Sequence, residues 1–165
     1  MASGPLTQAE RALAFVKVDF HRGRRQPRPV MLAVATICAI VGSLVADAIL
    51  IKIGTAAFPS ISGYVHFRFS DYATLTVVGV LGACVGWPIV LSISSAPRWL
   101  FLRLAVVATL ILWLPDVWIL SQGQSVRAVL VLMVMHVAIA VVTYNALVHL
   151  APPLPSTDDH TRPVR

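Results

Sequence analysis

From Tyr72 through Pro97 the chain carries no Asp, Glu, Lys or Arg, and three other stretches are nearly as apolar. Crossing a hydrocarbon core of about 30 Å takes roughly 20 helical residues, and stretches 30–53, 72–93, 99–120 and 126–150 all reach that length. Inside a bilayer every backbone N–H and C=O must find its partner within the protein. These runs are also far longer than the roughly 10 residues of a membrane strand. The reading is therefore all-α, a bundle of four transmembrane helices. Composition agrees: 58% of residues are hydrophobic and only 12% charged, against about 25% charged in a soluble domain.

The connections divide the spans. Ser95-Ala96-Pro97-Arg98 reads as a tight turn, Ser121-Gln122-Gly123-Gln124-Ser125 as a polar break, and 54–70 as the one sizeable loop. Short links make helices two, three and four sequential antiparallel neighbours. In the loop, Tyr64, His66 and Arg68 alternate with Val65, Phe67 and Phe69. That period of two predicts a short extended segment folded over the end of the bundle, with an unbound coil as the alternative.

Orientation follows from Lys and Arg. Arg11, Lys17, Arg22, Arg24, Arg25, Arg28, Arg98, Arg103, Arg162 and Arg165 fall on one side, against Lys52, Arg68 and Arg127 on the other. The ten-to-three bias predicts that both termini are cytoplasmic. Segment 1–29 reads as a basic cytoplasmic segment, 30–150 as the transmembrane domain and 151–165 as a disordered cytoplasmic tail. Thr7 and Glu10 form a capping box, and Leu6, Ala9, Leu13, Val16 and Phe20 follow at helical spacing. That pattern predicts an interfacial amphipathic helix, with a disordered basic tail as the alternative. Ala46-Asp47-Ala48 resembles a signal cleavage site, but the long leader and the continuing apolar run favour a retained anchor. Arg outnumbers Lys 11 to 2 and Asn145 is the only asparagine, the bias of a GC-rich bacterial gene. A multi-pass protein of a bacterial inner membrane is expected.

The net charge of +6 clusters beside the first span, where it complements anionic lipid headgroups, so lipid rather than nucleic acid is the expected partner. Cys38 and Cys84 lie in apolar runs and read as small hydrophobes. Ala35, Ala39, Gly42 and Ala46 on helix one, and Gly79, Gly82 and Gly86 on helix two, form small-residue stripes. Such stripes let helices approach closely, either within the chain or across a homo-oligomer seam.

Ionisable residues inside spans carry the functional signal, because a charge there costs on the order of 2.5–3.5 kcal/mol at a helix centre. Asp47, Asp116, Arg127, His136 and Thr143 form a candidate polar pocket in the outer half. Its other reading is structural: Asp47–Lys52 and Asp116–Arg127 pairs, with His136 bonded to a neighbouring helix. Asp71 reads as a dipole partner at the start of helix two. His136 and His149 lie 13 residues apart on one span, but bis-histidine haem needs facing histidines that no other span supplies. Zinc spacing, phosphate loops and nucleophile groupings are not recognisable, so neither a cofactor nor an enzymatic activity is expected.

Gly86-Trp87 near the end of helix two, and Met135-His136 followed by Ala138 and Ala140 in helix four, resemble features of an uncharacterised family of small actinobacterial four-helix membrane proteins. The likeness covers about residues 79–150 and departs in the basic N-terminal segment and the loop YVHFRF. It implies four spans and carries no activity or site residue. The sequence alone favours a non-catalytic accessory component of the cell envelope, packing with lipid, another envelope membrane protein or a second copy. The alternative is a small-ligand or proton-coupled transport or sensing unit built on the polar pocket.

Overall fold

Four long helices follow one another in the computed structural model, which describes residues 26–154. They are α1 (Pro29–Ala57), α2 (Phe69–Ile93), α3 (Pro97–Ser121) and α4 (Val126–Leu150). Each is long and apolar enough to span a membrane, so the chain has the architecture of a multi-pass membrane protein. The predicted amphipathic helix of the N-terminal segment and residues 155–165 of the C-terminal tail lie outside the described residues.

Local chemistry sets the boundaries. Pro29 and Pro97 occupy the first turns of α1 and α3, where the missing N–H would lack a helical partner in any case. Gly123, at φ +84°, turns the chain between α3 and α4. α1 runs one turn beyond the sequence expectation, through Gly54, Thr55, Ala56 and Ala57. The loop therefore shrinks to 58–68.

That loop is not extended. It winds into two 3-10 turns, Pro59–Ile61 and Val65–Phe67. Gly63 sits at φ +83° between them, a region that a side chain disfavours. Tyr64 packs edge-on against His66 and Phe67 at centroid distances of 5.3 and 5.2 Å. Six alternating residues were too short a stretch to tell a strand from compact turns, and the Tyr64 ring packs within the turns that form. Ile61 is buried beneath the bundle end.

The buried face of α1 consists of Ala35, Ala39, Ser43, Asp47 and Gly54. These are small or short side chains spaced mostly at i+4, and they let α1 lie close along α4. A Cβ added at Gly42 would stand 3.0 Å from Val142 Cγ1, and one at Gly54 would stand 2.7 Å from Val131 Cγ2. The two contacts fix the antiparallel register of α1 on α4. The glycines of α2 do not play this part. Nothing lies within 4 Å of a Cβ built at Gly79, Gly82 or Gly86, so that stripe is not an intramolecular seam.

The half of the bundle near the termini holds a dry core of Ala35, Val80, Trp87, Leu91, Phe101 and Leu147. Trp87 is the largest side chain of that core. It is fully buried, tilted against Phe101 at 5.0 Å, and donates its indole N–H to the Ala151 carbonyl at 2.8 Å. That carbonyl lies just past the end of α4, where helical C=O groups lack partners. The opposite half, capped by residues 58–68 and 122–125, is called the loop half below. Buried polar side chains concentrate there and toward the middle of the bundle.

Candidate functional site

Asp116 and His136 meet across the α3–α4 seam, with His136 Nδ1 3.1 Å from Asp116 Oδ2. Counting along the helices leaves a gap, since Asp116 lies five residues from the end of α3 and His136 ten residues into α4. At 1.5 Å per residue these depths are about 7.5 and 15 Å. Side-chain direction closes the gap. Helical side chains lean toward their own N-terminus, so on antiparallel helices Asp116 leans inward and His136 leans back toward the loop end. A neighbouring bond from the Trp113 indole N–H to the Met133 carbonyl, 3.1 Å long, holds the two helices in this register.

The same geometry removes the expected partner. Arg127 lies at the start of α4 and leans toward the loop end, away from Asp116, and its guanidinium sits 5.1 Å from the Phe58 ring centroid. The expected Asp116–Arg127 pair is therefore replaced by Asp116–His136. Asp47–Lys52 is absent for a related reason: five residues turn a helix through about 500°, leaving the two side chains about 140° apart. Asp47 instead accepts a 2.8 Å hydrogen bond from the Thr76 hydroxyl of α2.

The protonation of His136 is constrained by its neighbours. Nδ1 also lies 3.0 Å from the Leu132 carbonyl, one turn earlier on α4. A carbonyl oxygen only accepts, so Nδ1 carries a hydrogen and Nε2 is the nitrogen that gains or loses a proton. Asp116 Oδ2 makes no aligned hydrogen bond. The Nδ1–H points to its own helix, and the carboxylate faces the ring as a charge contact. The His136 side chain is 24% exposed and that of Asp116 only 6%.

Asp47 and His136 lie within electrostatic reach of each other, as do Asp116 and Tyr64 in the loop. The Tyr64 hydroxyl is buried without a hydrogen-bond partner. Burial, with the Asp116 charge behind it, pushes that phenol above its ordinary range. Thr143 stands apart from the pair. It is seven residues beyond His136, about 10 Å deeper, and buried on the α1 seam with its hydroxyl unpartnered.

Of the five residues singled out from sequence, Asp116 and His136 are thus in contact, with Asp47 close by. Thr143 is deeper in the same bundle, and Arg127 is excluded. Sequence reasoning missed Thr76, Ser43 and Tyr64. Ser43 belongs to the i+4 series Ala35, Ala39, Ser43 and Asp47, a signal available in the sequence. Asp47, Asp116 and Thr143 are buried inside the helix seams. A groove of about 410 Å³ between α3 and α4 is apolar, bordered by Leu102, Thr109, Trp113, Tyr144 and Asn145 among others, and includes none of the five. Among the described residues no three His, Cys, Asp or Glu side chains converge as metal ligands. Comparison with protein families, with curated proteins and with solved structures finds no match to this chain.

Proposed function

We propose that this protein is a proton-responsive unit of a bacterial inner membrane, multi-pass with both termini in the cytoplasm, which senses or transports protons from the loop side. The observation that carries this reading is the Asp116–His136 contact at 3.1 Å inside a predominantly apolar bundle. An acid against an imidazole inside the bundle is costly to keep in a membrane, and both groups can exchange a proton. Close packing of these groups favours the smallest ligand over an organic one. The dry core around Trp87 closes the half near the termini, which supports access from the loop half alone and hence sensing over free conduction.

The test is the full chain reconstituted in lipid nanodiscs, with helix packing followed by a fluorophore on the loop as pH is varied. Wild type is expected to show a reversible transition that His136→Gln abolishes while expression and monodispersity persist. A transition unchanged in His136→Gln would remove the reading.

A second reading, an accessory component bound to another envelope membrane protein, is favoured by α3. Leu104, Val107, Ile111, Leu114 and Trp118 are all exposed around that helix. Stoichiometric co-purification of one membrane protein, lost when Leu104 and Ile111 are changed to bulky aromatic residues, would select it.

A further inference from the structure

Helical hydroxyls in this bundle mostly return to their own backbone. Thr36, Thr55, Thr74 and Thr109 each donate to the carbonyl four residues earlier, all at 2.8 Å. Ser43 and Thr143 are more deeply buried than any of these, at 0% and 4% exposure, and their hydroxyls have no hydrogen-bond partner. A third orphan lies beside them. Asp47 is fully buried, its Oδ2 is taken by Thr76, and its Oδ1 has no hydrogen-bond partner.

We propose that Asp47 is a proton-binding site in the middle of the bundle, holding a proton at neutral pH on Oδ1 and sharing it with the hydroxyls of Ser43 and Thr143. An ionised carboxylate presents about four lone-pair sites, and here one is filled. Burying such an ion without a cation costs several kcal/mol. Among the described residues no cation makes an ion pair with it. Tyr72 and Thr76 face it from α2, His136 from α4 is engaged by Asp116 of α3, and Lys52 lies on another face of α1. The neutral acid removes the charge and turns Oδ1 into a donor.

That donor then needs an acceptor, and the two orphan hydroxyls supply it. Ser43 is one turn from Asp47 on the same helix face, a Cβ separation of about 5–6 Å that a side-chain rotation or one bridging water closes. Thr143 neighbours Val142, the residue that meets Gly42, so it stands level with Ser43 across the α1–α4 seam. A hydroxyl both accepts and donates. One proton therefore accounts for three otherwise unexplained oxygens. The site is centred on Asp47 of α1, shares only α4 with the Asp116–His136 contact, and does not depend on that pair responding to pH.

The experiment is infrared difference spectroscopy of the full chain in nanodiscs at neutral pH, wild type against Asp47→Asn. The expected result is loss of one C=O stretch of a protonated carboxyl, with the carboxylate bands unchanged. Ser43→Ala and Thr143→Val should each shift that band to higher frequency without removing it, because the carboxyl O–H loses an acceptor. His136→Gln should leave it in place, which separates this proposal from the pH-response reading. Loss of a carboxylate band in Asp47→Asn overturns the proposal. Should Asp47→Asn fail to fold, Ser43→Ala decides on the intact carboxyl: a shifted protonated band supports the site, and an unmoved spectrum overturns it.

Discussion

His136 Nδ1 faces two acceptors at once, the Leu132 carbonyl at 3.0 Å and Asp116 Oδ2 at 3.1 Å. The first belongs to its own helix and the second to α3, so one N–H ties the ring to α4 and turns its positive edge toward Asp116. Removing either partner leaves the other polar and buried, which costs more than the contact itself contributes. In a double-mutant cycle of Asp116→Asn and His136→Gln, the single changes should not add. A coupling of about 1 kcal/mol is expected in reversible unfolding from mixed micelles, the order measured for polar pairs between membrane helices.

Charge reversal gives a qualitative version of that test. Asp116→Arg should damage folding, and Arg127→Asp should fail to rescue it, because Arg127 stacks over Phe58 near the loop end. Recovery of a monodisperse protein in the double variant, read by size-exclusion chromatography, would return Arg127 to the site.

The glycines separate two kinds of small residue. Gly54→Ala places a methyl 2.7 Å from Val131 Cγ2 and should cost about 1–3 kcal/mol as an overpacked seam, with recovery in the Val131→Ala background. Gly82→Ala meets nothing within 4 Å and should be neutral, or gain up to about 1 kcal/mol of helix propensity. Thermal unfolding of the variants distinguishes the two.

Trp87→Phe keeps a ring tilted against Phe101 but deletes the donor to the Ala151 carbonyl. A loss of about 1–3 kcal/mol is expected from the carbonyl left without its partner. Amide exchange should rise at the C-terminal turn of α4 before it rises elsewhere.

Tyr64 predicts an alkaline effect. Its phenol is pushed up chiefly by burial, so the neutral form is the one the folded loop favours. The stabilisation from docking it is fully present below the ordinary tyrosine range and is lost as pH rises through the higher folded value. Limited proteolysis of the loop should accelerate above that point in wild type and show no such step in Tyr64→Phe.

The four spans were legible because apolar length is a property of sequence alone, and Asp47, Asp116 and His136 were legible because an ionisable residue in such a run stands out. Their partners were not. Depth counted from helix ends treats each side chain as attached at its Cα, and the opposed lean of Asp116 and His136 is what brings them together. Thr76 escaped notice because a threonine in an apolar helix ordinarily bonds its own backbone, as Thr36 and Thr109 do. Gly79, Gly82 and Gly86 misled for the opposite reason: a stripe of small residues permits close packing but does not say which helix uses it.

The most direct test of the proton-responsive reading is nitrogen-15 NMR of the His136 ring in the full chain in nanodiscs, recorded across the pH range in which the protein stays folded. The account predicts that Nδ1 remains protonated throughout, that Nε2 gains one proton as pH falls, and that the loop fluorophore reports its transition over the same interval. An imidazole whose protonation never changes in that range, or a transition at a pH where the ring is unaltered, would contradict it.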